Sequence, residues 1–378
     1  MGGVTGTKIA IVSRCAWTLY NFRSGLIRAI LREGANVITG GAGGDGFEDK
    51  VRRLGVPFFE LPVDKRGINP IADLRLMFCL FRWYRLERPR IVHHFTIKPV
   101  IYGSIAAKAA GVPVIINTVT GLGYLFTDQD LAWLSKIVRV LYRGAFSVSH
   151  HIFFQNNEDK IFLCRGNRKL LRKVTIQPGS GVDCNFFKPM QGLNGSSEKG
   201  TTFLMVSRVL KVKGVYEFVE AGRRVRKVYP DTRLKLLGRR DERNPSVISL
   251  RELEQWQSEG ALEWLGEVED VRPFLSRADV VVLPSYREGT PRSLLEAAAM
   301  EKPLIATDVP GCREIVIPDK TGLLVQPKDP DGLAKAMIKM IENPLMRLEM
   351  GRKARCKVKK EFDEALVIRK VLNVYQGL

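Results

Sequence analysis

LPSYREGTPRSLLEAAAME, residues Leu283–Glu301, decides how the second half of this chain folds. Its first residues close an apolar run that begins at Val280. A polar turn follows, and from Thr290 the leucines and alanines recur at helical spacing. Thr290 is the expected N-cap, because its hydroxyl can accept a free N–H of the first turn. Pro291 is expected in that turn, where its missing N–H costs nothing. A strand that turns directly into a helix is one step of an alternating β–α series, and the helix start offers N–H groups to phosphate. Glu288 precedes that start and Glu296 lies about one turn inside the helix, so both are expected to face one ligand. Glutamates are common on solvated helices, so the pair alone says little.

The alternation extends in both directions. Thr202–Ser207, Arg233–Gly238, Leu262–Leu265, Val280–Pro284, Pro303–Thr307 and Gly322–Val325 are short apolar runs of the buried-strand kind, with helix-length stretches between them. An earlier series comprises Lys8–Ser13, Ala35–Thr39, Pro57–Leu61, Arg90–His94 and Pro113–Asn117. Apolar strands alternating with helices imply a parallel sheet covered on both faces. Pro178–Gly200, rich in Gly, Pro and Ser, marks a boundary between the two series. The expected fold is α/β, with doubly wound domains at 1–183 and 184–360 and a helix at 361–378 packing back toward the first. Ligands of such sheets bind beyond the carboxyl ends of the strands, so a deep cleft between the domains is the expected site.

Val206–Gly214, VSRVLKVKG, places Arg208 and Lys213 between a strand end and a helix start. Two fixed cations there suit a diphosphate and would stabilise negative charge on a departing one. Taken singly, each would pass for part of a generally basic surface.

Composition bounds the rest. With 378 residues, 45% apolar and 26% charged, the chain is globular and exceeds one ordinary core. No apolar run approaches the ~20 residues that cross a bilayer. MGGVTGTKIAIVSR lacks a secretory-signal pattern, and six scattered cysteines without a C-x-x-C pair suit a reducing compartment. A cytoplasmic protein is expected. The net charge is +20, and residues 1–183 carry +13 of it, which implies an anionic partner. Nucleic acid is set aside, because no zinc-finger spacing or RNP-like aromatic motif accompanies the charge. Anionic lipid is favoured by DLRLMFCLFRWYRLERPR at Asp73–Arg90. As a helix it gathers Leu74, Arg75, Phe78, Phe81, Arg82, Arg85 and Arg88 on one arc, with Leu76, Leu80 and Trp83 opposite. Arginines between phenylalanines suit a helix lying on an anionic membrane. Lys136, Arg139, Arg143 and the segment Gly166–Lys173 extend the basic face.

Taken together, R-x(4)-K-G at Arg208–Gly214, EGTPRSLLE and KPLIATDVPGCREIV at Lys302–Val316 resemble retaining GT-B glycosyltransferases that use nucleotide sugars. The resemblance covers nearly the whole chain. NFR at Asn21–Arg23, GLG at Gly121–Gly123, GRRDERNP at Gly238–Pro245 and PSYREGTP are similar to bacterial transferases building lipid-linked oligosaccharides, N-acetylgalactosaminyltransferases of N-linked glycan assembly among them. INTVTGLGYLF at Ile116–Phe126 also looks like O-antigen and capsule transferases.

The resemblance implies two Rossmann-like domains and a UDP-sugar donor. It implies a lipid-linked saccharide acceptor at the inner face of a membrane, and no metal or other cofactor. By the same likeness Arg208 and Lys213 hold the donor diphosphate. Glu288 meets the donor sugar with the Gly289–Thr290 backbone beside it, and Glu296 binds the ribose. Ser293 and Leu294 offer N–H groups to phosphate, and Gly266–Val268 meets the uracil. On the acceptor side stand Asn21, Arg23, His94, Thr120 and Gly121. Relatives often carry a histidine just after the strand matching Val114–Asn117. Here Val119 and Thr120 occupy that place, and the candidate His94 lies on another strand end. Adjacent strand residues point to opposite faces, so neither His93–His94 nor His150–His151 is a metal pair. The D-x-D strings Asp128–Asp130 and Asp329–Asp331 read as helix starts rather than metal sites. A non-catalytic sugar-nucleotide-binding module and a UDP-sugar 2-epimerase are the alternatives.

Overall fold

Apolar runs become strands wherever both of their faces can be covered. In the computed structural model, which describes residues 3–64, 69–121, 132–190, 200–242 and 244–378, seven of them form one sheet. These are β1 (Lys8–Cys15), β2 (Asn36–Ala42), β3 (Phe58–Glu60), β4 (Ile91–Phe95), β5 (Val114–Val119), β6 (His151–Phe154) and β7 (Val174–Ile176). Their order is β3-β2-β1-β4-β5-β6-β7, all parallel. A second sheet contains β8 (Thr202–Val206), β9 (Arg233–Leu237), β10 (Glu263–Trp264), β11 (Val280–Leu283), β12 (Leu304–Thr307) and β13 (Gly322–Val325). Its order is β10-β9-β8-β11-β12-β13, again all parallel. Both are doubly wound, with the order reversing beside the first strand of each series. The last two strands of the first sheet, β6 and β7, were not anticipated. HIFF opens on a histidine and VTI has three residues, too little apolar sequence to stand out.

Side chains of each central strand alternate between two cores. Phe203, Met205, Val280 and Val282 join one cluster, and Leu204, Val281 and Leu283 the other. In the first sheet Ile9 and Ile11 face one core while Ala10 and Val12 face a second. Each sheet is thus sealed by helices on both sides.

The chain forms two compact units, Met1–Ser180 with Glu364–Leu378, and Gly181–Asp363. The expected boundaries at 183 and 360 each fall three residues from these crossings. The helix Glu364–Gly377 belongs to the first unit, where Val371 and Tyr375 are buried among Ile9, Ile27 and Phe95. Among the described residues no helix is long and apolar enough to cross a membrane, and no group of His, Cys, Asp and Glu could hold a metal ion.

Candidate active site

The carboxyl ends of β8 and β11 are neighbours, because Phe203 pairs with Val280 and Leu204 with Val281. Beyond β8 the chain passes Arg208, makes a 3-10 turn at Lys211–Lys213 and enters the helix Val215–Arg226 through Gly214. Gly214 has φ +78, and a Cβ there would stand 2.1 Å from the Pro284 carbonyl oxygen, so only glycine fits. The Tyr286 N–H donates to the Val212 carbonyl at 3.0 Å, and its hydroxyl donates to Glu217 at 2.7 Å. These links clamp the loop after β11 onto the loop after β8. Lys213 Nζ consequently donates to Glu288 Oε1 at 2.5 Å, with both side chains largely buried.

A second close approach fixes the Glu288 loop from the other side. Gly311, in the helix Pro310–Ile315, lies so near that a Cβ would stand 1.7 Å from the Gly289 carbonyl oxygen. Burial, and then the charge of Glu288, push the neighbouring Cys312 thiol far up, so it stays protonated as a core residue.

The helix Arg292–Ala299 starts one residue later than expected. Pro291, not Thr290, is its N-cap, since the Pro291 carbonyl accepts from the N–H groups of Leu294 (3.2 Å) and Leu295 (3.3 Å). Thr290 Oγ1 is buried with no hydrogen-bond partner among the described residues. Ser293 occupies the first turn, where an N–H has no intrahelical acceptor. Leu294 lies in the same first turn, its N–H 3.2 Å from the Pro291 carbonyl oxygen. Glu296 accepts from Arg292 Nε at 2.8 Å, and burial raises its carboxyl pKa against the lowering effect of that guanidinium.

The remaining donor-side residues lie on the same sheet edge. Gly238, with φ +151, would place a Cβ 1.8 Å from the Ser207 carbonyl oxygen, and its N–H donates to Gly266 at 2.8 Å. The loops after β8, β9 and β10 are thereby stitched together, with Arg208 half-buried beside Ser207 and Val268 packed on the core.

In the first unit the candidates separate. His94 is fully buried; Nε2 pairs with the Tyr84 hydroxyl at 2.8 Å and Nδ1 with Asn117 Oδ1 at 3.0 Å. A Cβ on Gly103 would stand 2.6 Å from its ring. Burial pulls its pKa down to about 4, so it is a neutral core residue and not an acceptor contact, which corrects the expectation. His93 points the other way, to Tyr375 and Thr118 at 2.7 Å each. Arg23 is buried, its guanidinium 3.9 Å over the Phe95 ring. The cavity it lines is about 10 Å3, room for one water at most. The Asn21 amide donates to the Trp17 carbonyl at 3.0 Å. Thr120 and Gly121 follow β5 and are half-buried. Residues 122–131, with the rest of GLGYLF and Asp128–Asp130, lie outside the described residues. Asp329 caps its helix, accepting from the Gly332 N–H at 2.8 Å.

Two family models match: "Glycosyl transferases group 1" over residues 190–357 and "Glycosyl transferase 4-like" over residues 8–156. The fold agrees with that of Anabaena HepE bound to UDP and glucose, at TM-score 0.78 and 15% identity over 98% of this chain and all of that one. Sucrose-phosphate synthase from Thermosynechococcus elongatus gives TM-score 0.81 at 18% identity, over 98% of both chains. The chain belongs to the GT-B glycosyltransferases. Among its relatives is the N,N'-diacetylbacillosaminyl-diphospho-undecaprenol alpha-1,3-N-acetylgalactosaminyltransferase of Campylobacter jejuni, 27% identical over 97% of this chain and 98% of that protein. Another is the UDP-Gal:alpha-D-GlcNAc-diphosphoundecaprenol alpha-1,3-galactosyltransferase of Escherichia coli, 26% identical over 88% and 85%.

One helix of this GT-B transferase carries an uncovered apolar face. Pro70–Glu87 is capped by Asn69, whose Oδ1 accepts from Ile71 and Ala72 at 3.1 and 3.2 Å. Leu76, Leu80, Trp83 and Tyr84 enter the core, whereas Ile71, Leu74, Phe78 and Leu86 are exposed beside Arg75, Arg82 and Arg85. Phe81, expected outward, is half-buried against that core.

Proposed function

We propose that this GT-B enzyme transfers a sugar, first of all an N-acetylhexosamine, from a UDP-sugar to a polyprenyl-diphosphate-linked saccharide, with retention and without a metal ion. The observation that carries the reading is the Lys213–Glu288 pair at the carboxyl ends of the central strands, beside Arg208 and a helix first turn. Lys213 and Arg208 neutralise the departing UDP, where preorganised charge lowers the barrier most. Glu288 orients Lys213 with one oxygen and takes donor sugar hydroxyls with the other. Glu296 accepts from the ribose, Gly266–Val268 meets the uracil, and Ser293, Gly289 and Thr290 surround the phosphates and sugar. The orphaned Thr290 hydroxyl supports that placement. The bond from the anomeric carbon to UDP breaks and the bond to the acceptor oxygen forms on the same face. The acceptor proton passes to the leaving phosphate oxygen, so no pair of carboxylates is required. The acceptor class rests on the relatives, two of which are named for diphosphoundecaprenol-linked sugars. The Pro70–Glu87 helix would dock on an anionic membrane, phenylalanine and leucine in the head-group boundary and arginines on lipid phosphate.

The test incubates the protein with UDP-N-acetylgalactosamine, UDP-N-acetylglucosamine, UDP-galactose and UDP-glucose. The acceptors are diphosphoundecaprenol carrying N-acetylglucosamine or diacetylbacillosamine, with and without EDTA. UDP should appear only with acceptor, in EDTA as well, and the new linkage should keep the donor's anomeric configuration. No release from any pair would favour a binding module, a C2-inverted sugar an epimerase. Loss in EDTA restored by manganese would overturn the metal-free mechanism.

A further inference from the structure

The first unit has its own switch point, between β1 and β4, where doubly wound sheets open a crevice beyond the strand ends. Two residues stand there with unmet hydrogen-bonding capacity. The last paired couple of these strands is Val12 with His94, so Arg14 and Thr96 each lie two positions further on. Arg14 Nε and Thr96 Oγ1 are both buried, with no hydrogen-bond partner among the described residues. Such groups cost stability unless something satisfies them.

The backbone carries a second cost at the same place. Thr96 has φ +72, the left-handed region, which a β-branched residue rarely adopts. Glycine would relieve the strain at once, yet a threonine is present. Its carbonyl accepts from the Val100 N–H at 3.0 Å and leads into a single π-helical turn at Pro99–Gly103. Strained backbone and π-turns both concentrate where a fold presents groups to a ligand.

The surroundings select the ligand. Lys98 Nζ pairs with Asp73 Oδ1 at 2.8 Å and Asp64 Oδ2 at 3.5 Å, and the Tyr102 hydroxyl donates to Asp73 Oδ2 at 2.8 Å. The Lys98 charge is thus held between two carboxylates. Two residues beyond Thr96 a phosphate would meet that carboxylate pair, whereas a pyranose, each of whose hydroxyls both donates and accepts, suits an N–H and a hydroxyl left without partners.

We infer that Arg14 and Thr96 form the subsite for the hydroxyls of the acceptor saccharide and set which terminal sugar is accepted. The inference rests on the transferase reading above and adds the residues that read the acceptor. Steady-state kinetics on the full chain test it, using the donor and lipid-linked acceptor that turn over in the panel above. Arg14→Met and Thr96→Gly should each raise the acceptor KM roughly tenfold or more, the usual effect of one lost hydrogen bond to a charged or buried group. Donor KM should stay within about twofold. Both variants should melt no lower than wild type, because each removes an unsatisfied or strained group. Thr96→Ser, which keeps the hydroxyl, should restore the acceptor KM, and Arg14→Lys serves if the methionine variant does not fold. Inhibition by undecaprenyl diphosphate without sugar should be unchanged. An acceptor KM unaltered in the folded variants overturns the inference, as does a parallel loss of undecaprenyl diphosphate binding or a lowered melting temperature. If the wild type shows no acceptor-dependent UDP release, the transferase reading itself fails.

Discussion

Gly311→Ala is a substitution of one methyl group with a calculable effect on catalysis. The added Cβ would lie 1.7 Å from the Gly289 carbonyl oxygen and 3.0 Å from the Glu288 carbonyl carbon. Close carbon–oxygen contacts begin near 3.3 Å, so the Gly289 carbonyl oxygen must retreat by roughly 1.6 Å and draw the adjoining Glu288 backbone with it. The Lys213–Glu288 bond of 2.5 Å would then lengthen. A misplacement of about 1 Å costs on the order of a hundredfold, close to 2.7 kcal/mol of barrier. Gly311 has no positive φ, so the alanine brings steric displacement alone. The assay is UDP release at saturating donor and acceptor, with circular dichroism to establish that the variant is folded. A hundredfold fall in kcat is expected, with the acceptor KM little changed. A folded Gly311→Ala enzyme within threefold of wild type would refute the claim that this helix holds Glu288 in place.

Lys213→Ala, Arg208→Ala and Glu288→Gln should each lose roughly a hundredfold or more in turnover, on the order of 3 kcal/mol, while remaining folded. Near wild-type turnover by Lys213→Ala would remove the diphosphate assignment. Sedimentation with liposomes should require anionic lipid and weaken with salt, each basic residue near the surface contributing about 1 kcal/mol. Replacing Leu74, Phe78, Arg82 and Arg85 by serine should release the protein without altering donor KM; unchanged binding would exclude this helix. His94 makes stability fall on acidification. Its pKa is about 4 in the fold against 6.5 unfolded, so the unfolded chain takes the proton first and stability drains away between those values. The difference of about 2.5 units amounts to roughly 3 kcal/mol. Thermal unfolding between pH 7 and pH 4.5 should therefore steepen less in His94→Gln, and equal slopes would show that His94 does not contribute.

The alternating fold was legible because strands buried on both faces must be apolar throughout, and LIAT or VVVL admits few other readings. Where a strand is short, or borrows its core from aromatic residues beside histidines as in β6, that contrast disappears. Lys213 and Glu288 stood out through the strand ends and helix starts beside them. Their contact did not, because Gly214 against Pro284 and Gly311 against Gly289 are tertiary approaches that no local pattern encodes. His94 misled because a histidine at a strand end looks alike whether it faces a ligand or Tyr84 and Asn117. The N-cap moved from Thr290 to Pro291 because the proline carbonyl was free to accept the first helical bonds. The strain at Thr96 left no trace, since a β-branched residue rarely turns left-handed.

The helix Glu364–Gly377 also orders events during synthesis. His93, made early, must wait 282 residues for the Tyr375 hydroxyl that satisfies its ring nitrogen at 2.7 Å. Until then the first unit has a buried imidazole without that partner and an apolar trough where Val371 and Tyr375 belong. Residues Gly181–Asp363 are contiguous and can close their core as soon as they leave the ribosome. The earlier-made unit is therefore the later to mature, its slow step being a loop closure that spans the whole of the other. A nascent chain stalled before residue 364 would hold one finished Rossmann-like unit behind an unfinished one, a natural client for a chaperone.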